Sequence, residues 1–279
     1  MSYSLNGLYR VIGISKQAVH RHAQRSQHLE QQVYQLMREA ELLRAEHPGC
    51  GVEKMYYTLA PSCMGRDKFV ELFMALGYRV RRPKNYQRTT YAGQMYYPNL
   101  IKGLQVRSPS SVWQSDITYI RIGERFFYAV FIIDVYTKMV VGYRVSKSLR
   151  AEANVQALRM ALRYHDPPEI HHSDRGSQYI YGDYIKLLRL NNCKISMACS
   201  AQENAYAERI NQTIKDEYLK HWSIKTFEQL QYKVGKAVKH YNEKRIHRNI
   251  DRRTPSDFQD YWKTLSNENK PIITIFDNN

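Results

Sequence analysis

Apolar residues recur in three short runs between residues 112 and 145, and short polar turns separate these runs. The runs cover residues 112–122, 126–135 and 139–145 and are rich in valine, isoleucine and aromatic side chains. Runs of this length and composition, joined by short turns, are typical of β-strands that pair with their neighbours in sequence. The pattern therefore predicts an antiparallel meander of three strands.

Helices and strands alternate after this meander. The spacing of apolar residues predicts a helix over 151–164, a strand over 169–173, a helix over about 178–191, a strand over 194–197 and a long helix over about 203–220. Three strands followed by alternating helices and strands predict an α/β domain, in which helices flank a mixed five-stranded sheet. An amphipathic helix over 226–243 and a basic tail follow this domain.

The N-terminal part of the chain predicts helices without strands. Residues 6–26 are typical of a helix-turn-helix, because Gly13 permits a turn and Ser15 is a good N-cap for the second helix. A longer amphipathic helix is predicted over 28–46. The exposed face of the helix after Ser15 is expected to enter a DNA groove, and its candidate contact residues are Lys16, Gln17, Arg21 and Arg25.

A second helical pair is predicted over 51–78, where Pro61 ends the first helix and Gly77 ends the second. A basic run interleaved with tyrosines follows at once. Cations that alternate with aromatic side chains suit a segment that follows a DNA backbone, whereas the prolines and glycine of the run are typical of a solvated linker. Both interpretations can hold together, and the cations in question are Arg79, Arg81, Arg82 and Lys84.

These elements divide the chain into five predicted regions. They are an N-terminal helix-turn-helix with its amphipathic helix (1–46), a second helical element that is expected to bind DNA (47–82), a basic linker (83–110), an α/β core (111–222) and a C-terminal helix with the basic tail (223–279).

The net charge of the chain limits the kinds of molecule that it is expected to bind. The 42 lysines and arginines exceed the 26 acidic residues by 16, and the isoelectric point is about 9.6. This excess of positive charge favours a polyanionic binding partner, of which nucleic acid is the first candidate and an acidic membrane surface the second. The 43% of hydrophobic residues suffices for a packed core, and no apolar run approaches the roughly 18 residues of a membrane helix.

The cysteines and the first residues of the chain indicate the cellular compartment in which the protein is expected. The four cysteines form no CxxC pair, so neither a zinc knuckle nor a disulfide framework is indicated. The first residues do not resemble a secretory signal. A reduced cytosolic setting is the expectation.

Three acidic residues have unusual positions in the predicted core. Asp116 lies inside its first strand, Asp174 directly follows its fourth strand, and Glu208 lies in the first turns of the long helix. An acid inside a strand is costly to bury unless it is paired or binds a metal. The first and fourth strands can be neighbours, and the helix can cross their ends, which would bring the three carboxylates together. Oxygen ligands of this kind suit Mg²⁺ or Mn²⁺, and two such ions support phosphoryl transfer.

The residues around these acids carry a resemblance. The segments WQSDITYI (113–120), HHSDRGSQY (171–179) and NAYAERINQTIKDEYL (204–219) resemble the three catalytic boxes of DDE transposases with a retroviral-integrase-type core. The similarity is to the second reading frame of a large class of bacterial insertion sequences. It extends to YNEKRIHRNIDRRTPSDF (241–258) and, upstream, to residues 47–84 and 8–23, so that it covers almost the whole chain.

The resemblance implies a fold, a reaction and a set of residues. It implies a ribonuclease-H-like core in which Asp116, Asp174 and Glu208 bind Mg²⁺, with Mn²⁺ as a substitute. The ions would activate water to cut a phosphodiester at the element's end, and the freed 3′-hydroxyl would then attack a second phosphodiester. Ser177 and Gln178 would contact DNA or cap the following helix.

Further positions follow from the same resemblance. Asn204 and Arg209 would orient Glu208 or touch phosphate, and Lys215, two helical turns after Glu208, would reach DNA. The partners would be double-stranded DNA, both element ends and target, together with at least one further copy of the chain and possible fusion to an upstream-frame protein. The location would be the bacterial cytoplasm, in association with the nucleoid.

The sequence departs from the family pattern in one loop. The family usually has about two more residues between its second aspartate and its glutamate, with a glycine-proline loop there. The segment SMACSAQENAYAE (196–208) is shorter and lacks both, and Glu203 stands where an aspartate is usual. This difference could be harmless, or it could weaken activity.

Three other functions compete with an active transposase. The first is a DNA-binding regulator derived from a transposase, which the presence of all three acids disfavours. The second is a tyrosine recombinase, which would need a nucleophilic tyrosine beyond its basic cluster, where only Tyr261 remains. The third is a plain ribonuclease of the same fold, which the two helix-turn-helix-like segments disfavour.

Overall fold

The computed structural model describes residues 5–80 and 97–276. The chain divides into two compact units, one of Met1–Glu46 and Cys50–Val80, the other of His47–Gly49 and Arg81–Asn279. The first unit is helical and the second contains the sheets. Within the two described ranges, no helix is long and apolar enough to cross a bilayer.

The helical unit is built from α1 (Leu5–Val11), α2 (Lys16–Glu46), α3 (Val52–Leu59) and α4 (Arg66–Ala75). The predicted turn at Gly13 is confirmed by its positive φ, and the Ser15 hydroxyl accepts a hydrogen bond from the Ala18 N–H at 3.1 Å. The prediction of separate helices at 16–26 and 28–46 is wrong, since they form the single helix α2. This helix is continuous because it contains neither glycine nor proline.

Aromatic packing holds the helical unit together. Phe69 and Phe73 of α4 stack with their ring centroids 4.1 Å apart, and they are buried in one cluster with Leu36 of α2 and Met55 of α3. The predicted end of this helical pair is confirmed, because Gly77 follows α4 with φ +89°, a conformation that favours glycine.

The second unit is built around a five-stranded sheet and a small two-stranded ribbon. Its strands are β1 (Gln105–Val106), β2 (Val112–Ile122), β3 (Arg125–Asp134), β4 (Val140–Ser146), β5 (Ile170–Ser173), β6 (Lys194–Met197) and β7 (Ile273–Thr274). The large sheet has the order β4-β3-β2-β5-β6, and β1 pairs with β7. The predicted mixed five-stranded sheet is confirmed.

The register of the large sheet places two predicted strand ends side by side. Strands β2, β3 and β4 are antiparallel, as the meander predicts, whereas β5 pairs in parallel with both β2 and β6. The β2–β5 pairing runs from Val112 with Ile170 to Ser115 with Ser173. The expected neighbourhood of the first and fourth core strands is therefore confirmed.

Helices cover both faces of this sheet, in agreement with the predicted α/β class. They are α5 (Glu152–Tyr164), α6 (Gly182–Leu190), α7 (Ala205–Thr213), α8 (Phe227–Glu243) and α9 (Pro255–Thr264). Alternate residues of β3 point to opposite faces, so that Phe131 packs with α7 and α8 while Ile132 packs with α5 and α6. Trp113 is fully buried on the α5 side, which makes it a packing residue.

Two short segments outside the predicted elements complete this unit. Helix α9 begins with Pro255 after Thr254, whose hydroxyl accepts a hydrogen bond from the Asp257 N–H at 3.1 Å. Beyond α9, β7 returns to pair with β1, and Ile275 is buried in the core. The part predicted as a basic tail is therefore packed structure, at least as far as residue 276.

Replacement of Gly142 by alanine is expected to destabilise the second unit. A Cβ at this position in β4 would collide with the carbonyl oxygen of Ala157 and lie 2.9 Å from the Cβ of Ala161 in α5. Because one of these neighbours is backbone, relief requires a shift of the helix, at a cost of about 1–3 kcal/mol in the free energy of unfolding. Urea unfolding of Gly142→Ala beside the parent measures this cost.

Gly182→Ala is the matched control, since a Cβ at the start of α6 would meet nothing within 4 Å. It is expected to leave the free energy of unfolding unchanged or slightly raised. Equal stability of the two alanine variants would contradict the close packing of α5 on β4.

Candidate active site

The β2–β5 register brings Asp116 and Asp174 to the same level of the sheet. Ser115 pairs with Ser173, and each of these serines is followed directly by one of the two aspartates. Asp116 continues in β2, where it pairs with Phe131 of β3, whereas Asp174 opens the loop after β5. Both side chains are half-buried. Two acids far apart in sequence are thus neighbours because their strands are parallel.

Helix α7 approaches this point from the same end of the sheet. The buried Gln114 of β2 uses its side-chain oxygen to accept the N–H groups of Tyr206 (3.1 Å) and Ala207 (3.3 Å), in the first turn of α7. Asn204 donates its side-chain amide to the Ser115 carbonyl at 3.0 Å. These bonds satisfy helix N–H groups that have no partner within the helix and hold its N-terminus on β2.

Glu208 lies in the first turn of α7, where it is half-buried. Its carboxylate accepts a hydrogen bond from the Gln212 amide, one helical turn later, at 3.3 Å. Three residues after Glu208, on the same side of the helix, Asn211 donates its side-chain amide to Asp116 Oδ2 at 2.8 Å. Asn211 therefore joins the helix that carries Glu208 to the strand that carries Asp116.

The carboxylates of Asp174 and Glu208 act electrostatically on Asp116. Burial raises the pKa of Asp116 first, and the negative charge of Asp174 raises it further, with a smaller contribution from Glu208. Hydrogen bonds from the Ile117 N–H and from Asn211 act in the opposite direction, and the resulting pKa is about 7. Burial likewise raises the pKa of Asp174. The site thus concentrates negative charge in a place with restricted access to water.

The acids nevertheless stand apart as possible ligands of a single ion. Within residues 5–80 and 97–276, no three histidine, cysteine or acidic side chains lie close enough to hold one metal ion together. Asp174 Oδ1 accepts the Gly176 N–H at 3.0 Å, and Glu208 bonds within its own helix. The arrangement is a group of coupled carboxylates, with each orientation set by a separate hydrogen bond.

The contacts of the loop after Asp174 bear on whether Ser177 and Gln178 cap the following helix or contact DNA. Gly176, rather than Ser177, is the N-cap of the short 3₁₀ helix Ser177–Ile180, and Ser177 is exposed. Gln178 donates its side-chain amide to the Leu149 carbonyl at 3.0 Å. Gln178 thus links this loop to the segment before α5, and Ser177 remains available at the surface.

Basic side chains lie on the same helix as Glu208. Burial lowers the pKa of the half-buried Lys215, while the charge of Asp216 and, by smaller contributions, those of Asp116 and Glu208 partly offset this effect. Lys215 is therefore within electrostatic reach of the acids. Arg209 is exposed.

Some of the predicted DNA contacts in the N-terminal part of the chain are exposed, and others lie outside the described residues. Four of them lie exposed on α2, namely Lys16, Gln17, Arg21 and Arg25, and Arg79 is exposed after α4. Residues 17, 21 and 25 follow one another at intervals of one turn and so share a face of the helix. Arg81, Arg82 and Lys84 lie outside the described residues.

The shortened loop before Glu208 is closed by Glu203. Its carboxylate accepts the Cys199 N–H across the loop. Burial alone would raise the pKa of Glu203, but this bond and the side chain of Asn99 bring it below its ordinary value. Glu203 thus supports the backbone of the loop before Glu208.

Sequence reasoning missed Gln114 and Asn211. A signal for Gln114 exists, because it is a polar residue between Trp113 and Ser115 in a strand buried on both faces. A signal for Asn211 is its spacing of three residues from Glu208. Neither signal identifies the partner atom, which depends on where α7 meets β2.

Comparison with known proteins places the chain in a family. Two family descriptions, both Integrase core domain, match residues 106–202 and 192–255. The insertion element IS600 uncharacterized 31 kDa protein of Shigella sonnei is 30% identical over 73% of this chain and 78% of its own length. The transposase for insertion sequence element IS904 of Lactococcus lactis is 29% identical over 64% and 72%. The transposase for IS629 of Shigella sonnei is 30% identical over 57% of this chain, which spans 55% of that relative's length.

A solved structure shares the fold. A chain of the simian T-cell lymphotropic virus intasome, in complex with PP2A regulatory subunit B56 gamma, has a TM-score of 0.50 at 15% identity, over 83% of this chain and 76% of its own. The transposase relatives do not favour the alternative of a regulator without chemistry. The chain belongs to the DDE transposases of bacterial insertion sequences, and it is a nucleotidyl-transfer enzyme that acts in insertion-sequence transposition.

Proposed function

We propose that Asp116, Asp174 and Glu208 are the catalytic acids of this transposase and that they bind divalent metal, Mg²⁺ or in its place Mn²⁺. The observation that carries the proposal is the β2–β5 register, which puts Asp116 beside Asp174, together with the Asn211–Asp116 hydrogen bond from the helix that bears Glu208. Burial and the two other carboxylates also raise the pKa of Asp116 to about 7. Acids that repel one another in a half-buried site are stabilised by a bound cation. Carboxylate oxygens are also the donors that Mg²⁺ and Mn²⁺ prefer.

The donor set fits such ions in chemistry, and Glu208 is the least restrained of the three acids. Asp116 lies in β2 and Asp174 directly follows β5, whereas the Glu208 side chain is bonded only to Gln212 among the hydrogen bonds described for it. A change of its rotamer breaks one long hydrogen bond and leaves the backbone of α7 in place.

The reaction would be strand cleavage followed by strand transfer. When bound, two divalent ions activate the attacking oxygen and stabilise the leaving oxygen of an in-line displacement. Water would break the phosphodiester at the element's end and leave a 3′-hydroxyl, which then forms the new bond to target DNA as the second phosphodiester breaks. Asn211 would keep the Asp116 carboxylate oriented, while Lys215 and Arg209 would hold backbone phosphates.

The wider DNA surface and the assembly are part of the proposal. The excess of 16 positive charges supports binding to double-stranded DNA, at the element ends and at the target. The exposed α2 residues, together with Arg79 and Ser177, are candidate contacts. Joining two ends to one target requires at least a dimer. A partner from an upstream reading frame stays a prediction from the family resemblance.

Removal of any one of the three acids is expected to abolish metal-dependent cleavage. Asp116→Asn, Asp174→Asn and Glu208→Gln should each lower the rate by about 100-fold or more, because metal positioning contributes several kcal/mol and each 1.4 kcal/mol is tenfold. The assay incubates purified protein with its own element's terminal DNA, with and without Mg²⁺, and maps the 3′ ends.

The matched control for these variants is Asp183→Asn, an exposed acid in the first turn of α6. It should cleave like the parent. Cleavage at the parent's rate by Asp116→Asn would exclude the proposed site.

Asp116 is also expected to make stability depend on pH. The folded state retains this proton up to about pH 7, whereas the unfolded chain loses it near 3.8, so stability falls as the pH rises between these values. Asp116→Asn should therefore gain stability relative to the parent at pH 8, and the gain should vanish near pH 4. A gain of at least about 1 kcal/mol is expected, since one pKa unit corresponds to about 1.4 kcal/mol.

Urea unfolding in a chelator at a series of pH values measures this difference. Adding Mg²⁺ at pH 8 should stabilise the parent more than Asp116→Asn, because a ligand of the folded state shifts the unfolding equilibrium. An equal effect of Mg²⁺ on both proteins would speak against Asp116 as a ligand.

Lys215→Ala is expected to weaken DNA binding through the loss of one phosphate contact. The slope of log K against log salt concentration should become shallower by about 0.9, the value for one released counterion. Fluorescence anisotropy with duplex DNA across a salt series measures it, and exposed Lys225→Ala serves as the control. An unchanged slope for Lys215→Ala would remove Lys215 from the DNA contacts.

A further inference from the structure

The helix that carries Glu208 changes its winding after two and a half turns. Helix α7 ends at Thr213 and continues without a break as the π-helical segment Ile214–Tyr218, followed by the 3₁₀ segment Leu219–His221. A π-helical segment is wider than an α-helix, is rare, and is frequently found at functional sites.

Glu217, inside this π segment, is held by a two-point ion pair. Arg245, two residues beyond the end of α8, donates Nε to Glu217 Oε2 and Nη2 to Oε1, both at 2.8 Å. Both side chains are buried. The flat guanidinium fixes the plane of the carboxylate as well as its position.

A third segment reaches the same carboxylate. His47 is buried, and its Nε2 lies 2.7 Å from Glu217 Oε2. The His47 ring stacks on Tyr218 with centroids 4.8 Å apart, and Tyr218 in turn is hydrogen-bonded to His240 of α8 at 3.0 Å. His47–Gly49 belongs to the same compact unit as α7 and α8.

The backbone is equally close at this point. The Gly49 N–H donates to the Glu217 carbonyl at 2.7 Å. A Cβ on Gly49 would lie 2.5 Å from the Glu217 Cα, so only glycine permits the contact. Two segments distant in sequence, His47–Gly49 and the one that carries Arg245, thus converge on Glu217.

Such a cluster is a poor way to gain stability. A buried ion pair loses its hydration on both partners, and replacement by apolar residues of similar size is often neutral or stabilising. Apolar packing is already present here, since Ile214 and Tyr218 are buried against α8. Unlike apolar packing, an ion pair with two hydrogen bonds between its partners fixes the direction of the side chain that it holds.

We propose that the Glu217–Arg245 pair, with His47, is a positioning device that sets the direction of the helix bearing Glu208 and Asn211. The inference rests on the proposed function of Glu208. Glu217 lies nine positions after Glu208, a length of roughly 13 Å along the helix, so a tilt of about 5° would move Glu208 by about 1 Å. Misplacement of about 1 Å can cost about 100-fold in rate.

The decisive variant replaces both charges at once. Glu217→Leu combined with Arg245→Met keeps the buried volume and removes the directional pair. Its unfolding temperature is expected to stay close to that of the parent, because removal of the desolvated ion pair offsets the loss of the His47 contact. Its DNA affinity should stay within about twofold. The single-turnover rate of metal-dependent end cleavage should fall at least about tenfold. A folded double variant that cleaves within about twofold of the parent would overturn the proposal.

Arg245→Lys keeps the proposal open to refutation if the double variant does not fold. It retains the positive charge and loses the two-point hold. Cleavage should fall with little change in DNA affinity, and a parental cleavage rate in this folded variant would equally overturn the positioning role.

Two references complete the experiment. Glu243→Gln removes an exposed ion pair with Lys239 on the same helix α8 and should leave folding, binding and cleavage unchanged. Asp116→Asn in the same assay separates the two proposals. If this variant still cleaves like the parent, the proposed catalytic site is refuted. If Asp116→Asn loses cleavage while the Glu217 and Arg245 variants keep parental activity, only the positioning role is refuted.

Discussion

The placement of Asp116 beside Asp174 in a half-buried part of the sheet is the constraint on which the candidate site depends. The parallel pairing of β2 with β5 puts Asp116 beside Asp174, and α7 adds the charge of Glu208. Left to themselves, three negative charges would favour protonation or separation. The fold counters this with oriented donors: the Ile117 N–H and the Asn211 amide on Asp116, and the Gly176 N–H on Asp174.

The same polar groups that hold the acids also hold the elements together. Gln114 and Asn204 fasten the start of α7 to β2, and Asn211 repeats the connection one turn further along. At the far end of that helix, Glu217 takes part in the pair with Arg245. Buried hydrogen bonds are directional, whereas apolar packing tolerates sliding. A helix fastened at both ends by polar contacts therefore has little freedom to rotate.

Sequence reasoning was accurate for the elements with strong local signals. The three meander strands, the alternating helices and strands after them and the Ser15 cap each follow from spacing or composition over a few residues. It was wrong for α2. A DNA-binding helix ending at residue 26 and a separate amphipathic helix over 28–46 were predicted, but no glycine or proline divides them. It also overlooked α9, although Thr254 followed by Pro255 is a local start signal.

The amino-acid sequence by itself determined the sheet class and the family and predicted the three acids as a set, because these depend on periodicity and on short motifs. Only the tertiary structure decided which atoms meet: that Gln114 caps α7, that Asn211 reaches Asp116, and that Glu217 joins Arg245. Such contacts depend on the register of strands and the approach of helices across long stretches of chain. Local propensity carries no information about those distances, since they are set when the core packs as a whole.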